Sequence, residues 1–461
     1  MLSPAVLKSL RGLVGADRVL TDREDLVCYS FDATAGLRPH LPGAVVTPAA
    51  REQVVEVLKL CHRHRVPVYP RGSGTNLSGG TVPLAGGIVL SLLDLNRIVE
   101  IDPDNLTATV EPGVILQTLN DAVARHGLIY PPDPGTVATC TVGGSAAECS
   151  GGLRGLKYGV SKHYIMGLEV VLADGAVVRV GGKTVKNVTG YDLTKLFVGS
   201  EGTLGIFTEL TLRLIPAPEA RRSMVVAFDS LDQAGGVITG IIRSGVIPAT
   251  LEIMDALTIR TVEAYARVDL PVGAEAVLLI EVDGLREAVE RETATVERIC
   301  RSGGAAELRV AGDDRERDRL WAARRAALPA LARVKPTTIL EDATVPRSRV
   351  PEMLSALQRI AREHSLTIGT FGHAGDGNLH PTILTDARDA DEMRRVEAAV
   401  DEIFRVALDL GGTLSGEHGI GAAKQRYLTW ELGEEGVELH RRIKQALDPL
   451  GILNPGKVVG T

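Results

Sequence analysis

Aromatic side chains are scarce in this chain: Phe, Trp and Tyr together make up 3% of its 461 residues. Nucleic-acid binders need stacking platforms and basic grooves. With a formal net charge of -7 as well, that function class is excluded. Cysteine is equally sparse. Cys28, Cys61, Cys140, Cys149 and Cys300 are odd in number and contain no CxxC pair. They fit neither a disulfide framework nor an iron-sulfur or zinc cluster, and point to a reducing, cytoplasmic compartment. No apolar run approaches the roughly 18 residues that a membrane span needs. The N-terminal stretch MLSPAVLKSLRGLVGADRVL mixes both charges with apolar residues and has no signal-peptide core, so it reads as an amphipathic helix. Membrane attachment is left as at most peripheral, at the inner face.

Glycine, by contrast, is in excess, with 50 residues. It is costly to order, so an excess without a repeat marks sharp bends or close approach of backbone to a ligand. The length exceeds what one hydrophobic core usually serves, which implies at least two domains.

From Ala44 onward, short β-branched runs alternate with helical patterns: strands at Ile88 to Leu92, Thr107 to Val110, Leu168 to Leu172 and Val177 to Val180. The fold class is α+β. Near Ile215 the segment PAPEARR carries two prolines and three charges between two strands, and is the best linker. The division is a helical arm over 1–39, a first domain over 40–216 and a C-terminal domain over 217–461.

Three glycine-rich clusters fall in the first domain. PRGSGTNLSGG, Pro70 to Gly80, has neither the lysine of a Walker loop nor the helix and third glycine of a Rossmann turn. It joins strand to strand, so consecutive N–H groups with Ser73, Thr75, Asn76 and Ser78 would have to cradle an anion as a nest, unless it is a plain surface loop. The others are the cluster from Pro131 (PPDPGTVATCTVGGSAAECSGG) and Lys183 to Ile206. Three such loops suggest a ligand as long as a dinucleotide.

These segments resemble the FAD-binding domain of vanillyl-alcohol-oxidase-type flavoproteins, and the likeness runs from about residue 40 to the C-terminal LNPGK. It implies a two-domain flavoprotein with a C-terminal α+β substrate (cap) domain. The first loop, Pro70, Arg71, Gly72, Ser73, Gly74, Thr75, Asn76 and Gly79, would hold the pyrophosphate. Pro134, Gly135, Thr136, Gly143, Gly144, Ser145, Gly202 and Ile206, with Asn454 near the C-terminus, would contact the rest of the cofactor. Some relatives attach FAD through histidine or cysteine. Here the first loop has no histidine, and Cys140 and Cys149 read as small buried residues, so non-covalent FAD is expected.

In the second domain, GTFGHAGDGNLHPTIL carries His373 and His380, seven apart. A hairpin about AGDGN would set them nearly opposite one another, about 5 Å apart. They read either as metal ligands or as two satisfied structural histidines. GGTLSGEHGIG then places Glu417 beside His418 before the helical pattern AAKQRYLTWEL. Two imidazoles and a carboxylate suit a divalent transition ion with open positions. A helix N-terminus would keep His418 neutral, as a base should be. Arg324 lies in the apolar stripe Leu320, Trp321, Ala327, Leu328 and Leu331, where it must either meet an anion or pair with a structural carboxylate. CHRH, Cys61 to His64, is read as the solvated end of a helix rather than a metal cluster.

Both histidine motifs resemble FAD-linked D-2-hydroxy-acid dehydrogenases, the family that includes glycolate oxidase flavin subunits and the D-lactate and D-2-hydroxyglutarate enzymes. The resemblance implies that His373, His380 and Glu417 bind zinc or a similar ion, and that His418 removes the hydroxyl proton. Arg324 would meet the substrate carboxylate, and Asn378 would touch the substrate. The D-2-hydroxyglutarate enzymes carry a lysine just before the segment matching DATVP, whereas Leu340, Glu341 and Asp342 stand here. That favours a small monocarboxylate such as lactate or glycolate. Electrons would leave to a separate acceptor: an iron-sulfur subunit, an electron-transferring flavoprotein or a quinone. A D-2-hydroxyglutarate dehydrogenase, an oxidase, a non-redox FAD enzyme of the same fold and an electron-carrying subunit remain the alternatives. A homodimer is compatible with the chain.

Overall fold

The computed structural model describes residues 2–460. The chain forms two units: 1–150, 160–217 and 417–461 make the first, and 151–159 with 218–416 the second. The first crossing into the long insertion, at Ala217, coincides with the proline-rich linker. The segment 217–461 is however not continuous in space, because its last 45 residues, from Glu417, fold with the first unit. The N-terminal arm is not separate either. Val6, Leu10 and Val14 are buried in the first unit's core beside Val54, Val57, Leu58, Ile452 and Leu453.

Local sequence explains these elements. In Pro4–Val14, Ser3 caps the helix by accepting from the Val6 N–H at 3.3 Å, and buried residues recur every four positions. In Arg51–His64 the buried set Val54, Val57, Leu58 and Cys61 follows the helical period. Cys61 is thus core rather than solvated, and burial pushes its thiol up to about 12. The two helices pack together over a four-stranded sheet in the order Val19–Leu20, Ala44–Val46, Ile88–Ser91, Val68–Arg71. Leu453 bridges Val68 in parallel, which brings the C-terminal segment to this edge. A second, antiparallel sheet runs Ile98–Asp102, Thr107–Val110, Ile206–Arg213, Ile165–Val171, Val177–Gly181.

The second unit is built on an eight-stranded antiparallel sheet. Its centre is Ala220–Phe228, Ala276–Gly284, Thr250–Asp255, Thr367–His373 and Asn378–Thr385, in that order. Successive side chains of a strand point to opposite faces. Val225, Ala227, Met254, Val277, Leu279, Phe371 and Leu384 share one face and bury against Ile259, Val262, Leu320, Trp321 and Leu331 of the helices Ala256–Ala266, Asp314–Arg325 and Ala327–Leu331. Residues 151–159 join this unit through Asp283, which accepts from Lys157 Nζ at 2.5 Å and Tyr158 OH at 2.8 Å. No helix among the described residues is long and apolar enough to cross a membrane.

Candidate functional site

The alternation that buries Phe371 and Leu384 also places polar residues. His373 lies two positions beyond Phe371, and Asn378 and His380 share the face of Leu384. The turn Ala374 to Gly377 joins the strands, and its tightness fits Gly377 at φ +91. The register pairs His373 with Asn378 and Phe371 with His380. The histidines are therefore diagonal neighbours across the hairpin. Their ring centroids still lie 5.0 Å apart, edge to face, and both side chains are buried.

On the next strand, Ile253 pairs with Gly372, which brings Glu252 to His373. His373 Nδ1 lies 2.7 Å from Glu252 Oε1. A carboxylate only accepts, so the Nδ1 nitrogen carries the proton and Nε2 is left as the lone-pair donor. His380 Nδ1 lies 3.8 Å from Asp342 Oδ1. A carboxylate hydrogen-bonded behind an imidazole is the usual support of a metal-ligating histidine; Glu252 gives His373 that support, and the two buried imidazoles fit a divalent ion.

Glu252 has a second partner. Its Oε2 accepts from Arg324 Nε at 2.6 Å, and the guanidinium lies over the Phe371 ring at 4.7 Å. Burial would raise the Glu252 carboxyl, but Arg324 and His373 outweigh it and hold it below the ordinary carboxylate range. The helix is fixed one turn earlier, where Trp321 Nε1 donates to Glu281 Oε2 at 2.9 Å. Arg324 therefore meets a carboxylate of the protein through Nε, and any substrate would use its other donors. Asn378 is buried, and its Oδ1 accepts from Thr344 Oγ1 at 2.9 Å, which turns the donating end of the amide the other way.

The chain leaves the second unit at Gly416, whose N–H donates to Asp342 Oδ2 at 2.8 Å. Asp342 thus sits behind His380 and also holds the residue that precedes Glu417. Glu417 and His418 belong to the first unit. The expected helix entrance does not occur there: a 3-10 turn spans Gln425–Tyr427 and the helix begins at Leu428, ten residues beyond His418. A helix dipole therefore gives no account of His418, since its effect fades within a turn.

In the first unit the three glycine-rich clusters converge. A side chain at Gly72 would collide with Thr141 Oγ1, and one at Gly202 with the ring of Pro70. Among the described residues, the main-chain N–H groups of Gly72 through Ser78 have no hydrogen-bond acceptor within the chain. A row of unpaired amides is what an anionic pyrophosphate needs, so this loop fits the phosphates of FAD. Ser78 Oγ is also buried without a partner.

Other residues expected around the cofactor are engaged within the protein. Arg71 turns to the Phe31 carbonyl at 2.8 Å and Thr81 Oγ1 at 3.0 Å, and burial lowers its pKa. Gly143 donates to the Pro112 carbonyl and Gly144 to Thr141 Oγ1. The Ser145 hydroxyl lies among those of Ser150 and Ser161. Asn454 Nδ2 bridges the carbonyls of Gly80, 2.9 Å, and Glu201, 2.6 Å, tying the first loop to the third. Pro134 accepts from Val137, Gly135 and Thr136 are exposed, and Ile206 opens a core strand. Cys140 is buried and Cys149 half-buried, and burial raises both thiols.

Sequence reasoning missed Glu252 and Glu201. The signal for Glu252 is an acid in the middle of the strand TLEIMD, flanked by Leu251 and Ile253. For Glu201 no local signal exists, because its partners are more than 200 residues away.

Two family models match the chain. A family model described as "FAD linked oxidases, C-terminal domain" matches residues 217–458, and one described as "FAD binding domain" matches 42–181. The glycolate oxidase subunit GlcD of Bacillus subtilis is 50% identical over 458 residues, covering 99% of this chain and 97% of that one. A D-lactate dehydrogenase of Archaeoglobus fulgidus is 39% identical over 441 residues, covering 94% and 95%. Among solved structures, substrate-bound p-cresol methylhydroxylase superposes with a TM-score of 0.81 at 22% identity, covering 98% and 96%. An alkyldihydroxyacetonephosphate synthase gives 0.78 at 20%, covering 99% and 86%. At such identities these two speak for the fold alone.

Proposed function

This chain belongs to the FAD-linked oxidases, and from that membership we propose residue roles for the FAD-dependent oxidation of a small D-2-hydroxy acid to its 2-keto acid. The observation that carries the proposal is the pair of buried imidazoles His373 and His380 on one face of the sheet, ring centroids 5.0 Å apart, with His373 Nδ1 held by Glu252. Lactate or glycolate is the favoured substrate class, because Leu340, Glu341 and Asp342 offer no cation to a second substrate carboxylate.

The first loop, through its amides from Gly72 to Ser78, binds the pyrophosphate non-covalently. Bound FAD supplies the acceptor for the hydride that leaves C2. His373 and His380, with Glu417 next in the chain after Gly416, are the donors for a divalent ion such as zinc, which supplies Lewis acidity to the substrate hydroxyl. Arg324, with Nε fixed by Glu252, uses its remaining N–H groups for the substrate carboxylate. Asn378 donates its amide N–H to the substrate. His418 takes the hydroxyl proton.

Each turnover delivers two electrons, and the five cysteines, all free, offer no cluster ligands among the described residues. A separate acceptor is therefore part of the proposal: an iron-sulfur subunit, an electron-transferring flavoprotein or a quinone. The subunit name of the Bacillus subtilis relative supports assembly with other chains. A cytoplasmic setting, with at most peripheral membrane contact, accords with the free thiols.

The test is anaerobic titration of the FAD-loaded protein with D-lactate, glycolate and D-2-hydroxyglutarate, following flavin bleaching. Bleaching by lactate or glycolate at lower concentration than by hydroxyglutarate supports the reading. Bleaching by none of the three overturns it in favour of a non-redox flavoenzyme.

A further inference from the structure

Glu201 is a non-glycine residue at φ +51, followed by Gly202 at φ +67. Left-handed backbone at a residue with a side chain is strained and persists where its surroundings determine it from several sides. Glu201 is held from four. Its N–H donates to the Ala147 carbonyl at 2.9 Å, and its own carbonyl accepts from Asn454 Nδ2 at 2.6 Å. Its Oε1 accepts from the Ile420 N–H and its Oε2 from the Gly421 N–H, both at 2.7 Å. One carboxylate thus captures two successive amides, a geometrically specific arrangement.

Those amides begin two residues after His418. The next two, of Ala422 and Ala423, donate to the Ser78 carbonyl at 2.9 and 3.0 Å. Four consecutive N–H groups are therefore fastened, two by Glu201 and two by the last residue of the unpaired-amide loop. No side chain can intervene: a Cβ on Gly419, itself at φ +79, would run into carboxylate oxygens of Glu148 and Glu201.

We propose that Glu201 is the positioning residue for His418, and that through Ser78 the segment carrying His418 is ordered by the same loop that binds the pyrophosphate. Glu201 reaches the reaction only through the backbone of Ile420 and Gly421. The inference rests on the reading of His418 as the base. It predicts that the 420–423 amides exchange slowly in the FAD-loaded protein and faster when FAD is removed.

The experiment combines Glu201→Gln with amide hydrogen exchange. Gln keeps the size of the side chain but turns a donor toward one of the two N–H groups. The variant is expected to retain FAD, keep KM for the hydroxy acid within about twofold and lose about 10–100-fold in the rate of flavin reduction, the scale of a 1 Å misplacement. Its Ile420 and Gly421 amides should exchange at least about 10-fold faster than in the parent. An unchanged reduction rate overturns the proposal, and so does loss of FAD, which would make Glu201 a cofactor-binding residue. If the variant does not fold, the parent protein decides: exchange at 420–423 as fast as in the exposed 185–190 loop overturns the proposal. Normal flavin reduction by His418→Ala would remove the base assignment while leaving the exchange result to judge the clamp.

Discussion

Glu252 and His373 stand 2.7 Å apart on neighbouring strands, and the same carboxylate holds Arg324 at 2.6 Å. One buried acid thus fixes both the imidazole proposed to bind metal and the guanidinium proposed to bind substrate. Glu252→Gln should lower kcat/KM about 10–100-fold, the usual effect of removing such a support. FAD content should stay normal, since the cofactor loops belong to the other unit. Steady-state kinetics beside the visible flavin spectrum checks both.

Metal is expected to be separable from flavin. Metal analysis of the purified protein should find about one divalent ion per chain, and His380→Ala should lose it while the flavin spectrum persists. Dialysis against a strong chelator should abolish substrate-driven bleaching, and added zinc or manganese should restore it. Full activity in metal-free protein would make the two histidines structural.

The C-terminal return to the first unit has its own fastening. Lys444 Nζ, buried, donates to Asp448 Oδ2 at 2.5 Å and to the carbonyls of Thr203, 2.8 Å, and Leu453, 2.7 Å. Breaking a buried pair by removing one partner costs about 3–5 kcal/mol, because the other charge stays buried. Lys444→Ala should lower the thermal midpoint on the order of 10 °C, measured as release of flavin on heating.

Asp255 gives a pH signature in the second unit. Its oxygens accept from Thr258 N at 2.8 Å and Thr370 N at 2.7 Å, yet burial raises its pKa to about 6. The folded state therefore holds the proton more tightly than the unfolded state does. Between about pH 4 and 6 the folded state binds more protons, so its stability falls as pH rises through that window. The stability lost across it is about 3 kcal/mol. Denaturant midpoints of the parent and of Asp255→Asn, at pH 4 and pH 7, should show the parent losing ground to the variant at the higher pH.

The period-2 pattern around AGDGN reveals the hairpin and the shared face of His373 and His380, because strand alternation is local. The diagonal offset follows from the length of the turn, four residues from Ala374 to Gly377, whose end the run AGDGN does not mark. Glu252 is harder still: its strand lies 121 residues before His373, and nothing near it says which strands will be neighbours. The return of Glu417 onward to the first unit leaves no mark in composition, as Lys444 and Asp448 look like ordinary surface charges until Thr203 and Leu453 enclose them. Arg324 is legible as a charge in an apolar stripe, but its carboxylate partner Glu252 is not, because it lies 72 residues earlier on another strand.

His418 is proposed to remove the hydroxyl proton as hydride leaves C2 for FAD. Anaerobic stopped-flow mixing of His418→Ala with D-lactate or glycolate tests it most directly. The variant is expected to bind FAD and substrate normally while its flavin stays oxidised, with the reduction rate down by about 100-fold or more. Flavin reduction at the parent rate would contradict it.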